Sequence, residues 1–200
     1  MNGRAGVQRH VKRVLRSLEQ HGLLLVQSKS LPSLVALVAG ESPRGSWWNH
    51  PQSHTIFQVL GEVAEHPEVV TTKLVMGKVT LVHRRLWAAL LAVATAREPW
   101  QLRGLSPASR RLLQKLETEP SVVASGPAVK ELEKKLLERC EQVHTESGAH
   151  RLRVEPWEAW ARRVGCRPLS SLSAARQQLV RAVTDLGGDA SDLPWSERRR

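Results

Sequence analysis

Leu86-Trp87-Ala88-Ala89-Leu90-Leu91-Ala92-Val93 is apolar almost all the way round a helix, so no face of it can be left to water. Such a helix belongs at the centre of a core, and the segments around it must each supply an apolar face to cover it. The flanking periodicities do so. Val7, Val11, Val14, Leu15 and Leu18 recur at helical spacing while Arg9, Lys12, Arg13 and Arg16 fall on the opposite side, which predicts an amphipathic first helix ending near Gly22. Residues 23–27 form a short strand. Ser30-Leu31-Pro32 reads as a helix start, with Ser as the cap and Pro in the first turn, and the helix runs to about Ala39. Ile56, Val59, Leu60 and Val63 mark a third helix that Pro67 ends.

Residues 69–75 and 78–83 are β-rich and meet at Met76-Gly77, where glycine supplies the positive φ of a tight hairpin. A two-residue turn would pair Lys73 with Thr80 and Val75 with Lys78. Thr71, Lys73, Lys78 and Thr80 then share a basic, hydroxylated side, opposite Val70, Leu74, Val79 and Leu81. Helix, strand, helix, helix, strand, strand is the order of a winged helix, with the third helix as the groove reader. Two departures set a generic α+β arrangement against it: the connection before the third helix is long, and the wing is almost absent.

Ser106-Pro107 opens another helix containing Leu112, Leu113 and Leu116, and the Pro/Ser/Gly-rich residues 118–126 mark a boundary. Val129, Leu132, Leu136, Leu137, Cys140 and Val143 predict one long helix. Trp157, Trp160 and Val164 predict a short helix ended by Gly165, and Leu172, Ala175, Leu179, Val183 and Leu186 a last one stopped by Gly187-Gly188. The expected protein is α+β and mostly helical. A winged-helix-like part with one β-hairpin, the only sheet and one that residues 23–27 can join, occupies residues 1–118, a helical part at 119–188 packs on it, and residues 189–200 form a flexible tail.

Thirty Lys and Arg stand against 19 Asp and Glu, giving a net charge of +11, so long-range attraction favours polyanionic partners, nucleic acid first among them. Cys140 and Cys166 are isolated, which suits a reducing cytoplasm. The apolar run at 31–39 is too short to span a bilayer, so no membrane partner is expected. Walker, GxGxxG, GxSxG and deaminase-type zinc patterns are absent, which argues against NTP hydrolysis, nicotinamide chemistry and serine-hydrolase chemistry.

Three constellations carry chemistry. Trp47 and Trp48, in a loop with Glu41, Ser42 and His50, offer stacking surfaces; packing of the loop onto the core, with His50 capping a helix near Pro51, is the plainer account. Lys73, Lys78, Thr80, His83, Arg84 and Arg85 lie in a stretch with no acidic residue between Glu68 and Glu98, so they are candidates to hold phosphates. His144, Glu146 and His150 form the densest polar cluster. With Glu41 and His50 they would supply acid–base groups to a hydrolase-type enzyme on a phosphorylated or nucleic-acid substrate, if the two loops form one cleft with Lys73 and Thr80 on its side. A zinc site can be drawn from Cys140, His144 and His150, but it lacks a second cysteine pair, and neither metal nor cofactor is expected. The leading expectation is nucleic-acid binding by Trp47, Trp48, Lys73, Lys78, Thr80, Arg84 and Arg85, with the enzyme and a protein-interaction adaptor as alternatives.

Gly45-Ser46-Trp47-Trp48 through His50-Pro51, the run from Lys73 through Gly77-Lys78-Val79-Thr80 to His83-Arg84-Arg85-Leu86-Trp87, and His144-Thr145-Glu146-Ser147-Gly148 resemble a family of uncharacterised bacterial proteins, over most of residues 31–160. The resemblance implies a bacterial origin and assigns no catalytic residue.

Overall fold

The computed structural model describes residues 2–144 and 150–196, and the side chains of 4–142 and 152–196. α1 spans Asn2–His21, β1 Leu23–Leu25, α2 Leu34–Ala39, α3 Ser53–Ala64, β2 Val69–Thr72 and β3 Thr80–His83. α1 buries Val7, Val11, Val14 and Leu18 and leaves Arg9, Lys12, Arg13 and Arg16 exposed, as its periodicity demands. Gly22 ends it at φ +79°, and a Cβ there would meet Leu86 Cδ1 at 2.7 Å and Arg85 Nε at 2.8 Å, so the turn admits only glycine without a shift of its neighbours. The strands pair antiparallel in the order β1-β3-β2, so residues 23–25 do join the hairpin.

α2 starts two residues beyond the expected Pro32. Ser33, not Ser30, caps it by accepting from the Ala36 amide at 3.2 Å, while Gly40 closes it in the left-handed region. The hairpin also differs. Thr72 pairs with Thr80 and Thr71 with Leu81, one residue out of the expected register, and residues 73–79 form a longer connection in place of a two-residue turn. The slip follows from burial: Leu74 and Val75 are both fully buried, and alternation across a tight turn would have exposed one of them.

α4, Trp87–Ala94, is the predicted central helix, preceded by a 3-10 turn at Arg84–Leu86; Ala89, Leu90 and Val93 have no exposed surface. Short α5, Pro99–Leu102, and α6, Pro107–Thr118, follow, and then β4, Val122–Ala124, and α7, Pro127–Lys134. Here the single long helix expected at 129–143 gives way. Leu136 takes a left-handed φ of 53°, and the chain continues as β5, Arg139–His144, paired with β6, His150–Glu155. A second sheet, β4-β6-β5, therefore stands where only helices were expected. α8, Trp157–Val164, and α9, Leu172–Asp185, complete the order.

The main core joins α1 to α4 and the first sheet with Trp157, Trp160 and Ala161 of α8 and with Ala175, Leu179 and Val183 of α9. Trp160 meets Trp87 edge-on at 5.0 Å, and the Trp87 indole donates to Val82 O. Between them, residues 105–155 build smaller clusters of their own: Leu116, Val122, Val129, Cys140 and Val154 in one, Leu105, Leu132 and Leu137 in another. Leu116 and Val122 share a cluster across the boundary expected near 118. Residues 189–196, expected as a flexible tail, pack instead. Asp189 and Asp192 close a capping box, Leu193 is buried, and the Trp195 ring lies near Trp100 and beneath the Arg176 guanidinium. Among the described residues no helix is long and apolar enough to cross a membrane.

Candidate nucleic-acid interface

Ser46 caps a 3-10 turn at Trp47–Asn49, which carries both indoles but buries only the first. Trp47 is 7% exposed and Trp48 60%, with their rings stacked at 4.0 Å and 24°. Packing thus accounts for Trp47 but not for its neighbour. Phe57, on α3 and also exposed, lies 5.7 Å from the Trp48 ring.

Trp47 is also one wall of an open groove of about 490 Å³, lined further by Gln27, Ser28, Lys29, Ser30, Lys73, Gly77 and Lys78. No lining residue carries a carboxylate. The Gln27 amide donates to Gly45 O at 2.6 Å, which fastens the aromatic turn to the polar run after β1. Lys73 is the exception within the groove, since its Nζ reaches Glu133 of α7 at 2.5 Å. Lys29 and Lys78 are exposed and have no ion pair among the described residues.

The other expected phosphate contacts lie elsewhere and are already occupied. Thr80 is fully buried, donating to Lys78 O and accepting from the Val75 amide, so it shapes the connection and faces no ligand. Arg84 pairs with Glu68 at 3.1 Å, and Arg85 donates to Glu19 O. Arg84's hydrogen bond, with His83 and His66 nearby, holds the Glu68 carboxyl below its usual range despite the opposing effect of burial. Of the cations in the acid-free stretch, Arg84 is thus engaged by Glu68 and Arg85 by a backbone carbonyl of α1, while Lys78 is not engaged among the described residues.

For acid–base chemistry the structure offers little. His50 accepts from the Gln52 amide through Nδ1, in the turn ahead of α3 and not as its cap, which is Gln52, and its Nε2 stands 3.7 Å from an exposed Glu41 carboxylate. Glu146 and the rest of 145–149 lie outside the described residues, as do the side chains of His144 and His150, although their backbones pair across β5 and β6. The shared cleft proposed between those two loops falls there too; of its described parts, Trp47 and Lys73 do meet in one groove and Thr80 does not join them. Cys140 lies in an apolar cluster where burial, with Glu133 adding, pushes its thiol up to about 12, so it stays protonated.

Sequence reasoning missed Lys29. Its signal was the polar run Gln27-Ser28-Lys29-Ser30 between two apolar segments, which gains meaning only when the connection 73–79 folds beside it. No protein-family model, no curated protein and no solved structure matches the chain.

Proposed function

We propose that the chain binds nucleic acid, with the groove between residues 26–30 and 73–79 taking backbone phosphates on Lys29 and Lys78. The observation that carries this is the unpaired lysines facing one groove free of carboxylates, in a chain of net charge +11. Each lysine–phosphate contact releases condensed counterions, so the attraction is strong at low salt and decays steeply as salt rises. The element order α1-β1-α2-α3-β2-β3 and the strand order β1-β3-β2 support a winged-helix-like account of residues 2–83, with 73–79 in the place of the wing. In that account the wing and not the third helix supplies the charge, because α3 contains neither Lys nor Arg. A bacterial origin and a cytoplasmic location accompany the proposal; two free cysteines, one of them buried, suit a reducing compartment.

Titrating labelled single-stranded DNA, duplex DNA and RNA at several salt concentrations tests it. The expected result is binding whose logarithm falls linearly with the logarithm of salt. Absence of binding at low salt, or binding indifferent to salt, overturns the proposal.

A further inference from the structure

Resting on that proposal, we infer that Trp48 is a stacking platform for an unpaired base, which makes single-stranded nucleic acid the ligand class. An indole 60% exposed, stacked on another at 4.0 Å and with exposed Phe57 5.7 Å away, presents a broad aromatic surface to solvent. The platform adjoins the groove through Trp47, which both stacks on Trp48 and lines the lysine groove. Cations and a flat apolar face in succession match a strand in which phosphate and unpaired base alternate, because any base offers a π face while the backbone tracks the charge. A duplex satisfies only the first half of that pattern. Its bases are stacked on each other, and the helix that would have to enter its major groove exposes His54, Phe57, Gln58 and Glu62, with Glu65 just past its end, and carries neither Lys nor Arg. The carboxylates would repel duplex phosphates at close approach.

The platform is held ready before any ligand arrives. Ser46 accepts from the Trp48 amide, His50 donates its amide to Trp47 O at 3.0 Å, and the Gln27 amide ties Gly45 to the groove wall. Little ordering of the loop is therefore needed on binding, which favours affinity.

The test compares the full-length chain with its Trp48→Ala and Trp48→Phe variants, each titrated against a thymidine oligonucleotide, a duplex of equal length, and heparin as a polyanion without bases. The inference predicts that the parent prefers the oligonucleotide to the duplex. Trp48→Ala should weaken the oligonucleotide by about five- to hundredfold without changing its salt slope or the affinity for heparin, and Trp48→Phe should recover most of the loss. Salt-dependent binding with no preference for single strands, or an unchanged oligonucleotide affinity in Trp48→Ala, overturns the platform and leaves nucleic-acid binding standing. If the parent binds neither nucleic acid, both proposals fall, and the aromatic patch is better explained as a protein contact. Equal losses of all three ligands in both variants would also overturn it, by marking Trp48 as structural.

Discussion

The groove mouth and the corner after β3 are both basic in sequence, yet they differ in what their charges face. At the corner, Arg84 meets Glu68, and Arg85 spends its guanidinium on a backbone carbonyl while lying over Gly22. At the groove, Lys29 and Lys78 have neither carboxylate nor carbonyl among the described residues, and only Lys73 is claimed, by Glu133. Availability of a charge is thus decided by its partners in space, and a count along the chain does not reveal it. Surface pairs such as Arg84–Glu68 add little stability, but they remove the cation from the pool that a polyanion can use.

The same distinction governs carboxylates, and it yields the largest expected effect. Glu155 is buried, which raises its pKa, but hydrogen bonds from Arg163 and Arg139 outweigh burial and leave it below its ordinary value. Glu138, 1% exposed, has one oxygen without a partner and only Arg97 at 3.7 Å from the other, so burial pushes it up to about 8. The folded state therefore holds a proton that the unfolded chain releases near pH 4.5. Stability falls as pH climbs from there towards 8, by on the order of 5 kcal/mol, and then levels off. Glu138→Gln should abolish that decline, matching the parent near pH 4 and exceeding it at pH 8 in urea unfolding. Parallel curves for the two proteins would show that Glu138 is solvated or paired after all.

Next in size is Gly22→Ala, which sharpens the structural role of Arg85. A methyl at φ +79° is strained in itself and meets Leu86 and Arg85 below 3 Å, so a loss of about 2–3 kcal/mol is expected by urea unfolding. A loss below about 0.5 kcal/mol would contradict the close packing of Leu86 and Arg85 over Gly22.

Smaller still is the acid response of the corner. Because Glu68 is depressed in the folded state, its pairing favours folding above the ordinary carboxylate range and ceases to do so as pH falls through the lowered value. Arg84→Gln should lower the pH 7 urea midpoint only slightly and match the parent at the acid end, where Glu68 is protonated in both. A large shift at pH 7, or a difference that persists in acid, would contradict the view that this pair matters chiefly by neutralising charge.

How far the sequence revealed this arrangement depended on the kind of signal. The helices of the main core were legible because each carries one apolar stripe, as Val7 to Leu18 and Ile56 to Val63 do, and α4 announced its position by having no polar face. The second sheet was hidden by a coincidence of periods. Leu132, Leu136, Cys140 and Val143 fit a helix, but beyond Leu136 the alternation of Arg139, Cys140 and Glu141 also fits a strand, and the partner that decides, His150–Glu155, comes later in the chain. In the candidate site the aromatic turn was legible from composition alone. The fates of Lys73, Arg84 and Thr80 were not, because each depends on a contact distant in sequence or on a one-residue register slip. Lys29 was overlooked for the same reason: its groove forms only when two segments some forty-five residues apart come together.

The central claim is that the free cations of the groove, and not the paired ones of the corner, hold phosphate. The most direct measurement is the slope of log affinity against log salt for a single-stranded oligonucleotide, taken for the parent, for Lys29→Ala with Lys78→Ala, and for Arg84→Gln with Arg85→Gln. Removing the two lysines should lower the magnitude of the slope by about 0.7 for each, while the arginine pair should leave it unchanged. A slope that drops with the arginines and survives loss of the lysines would contradict the account and move the interface to the corner after β3.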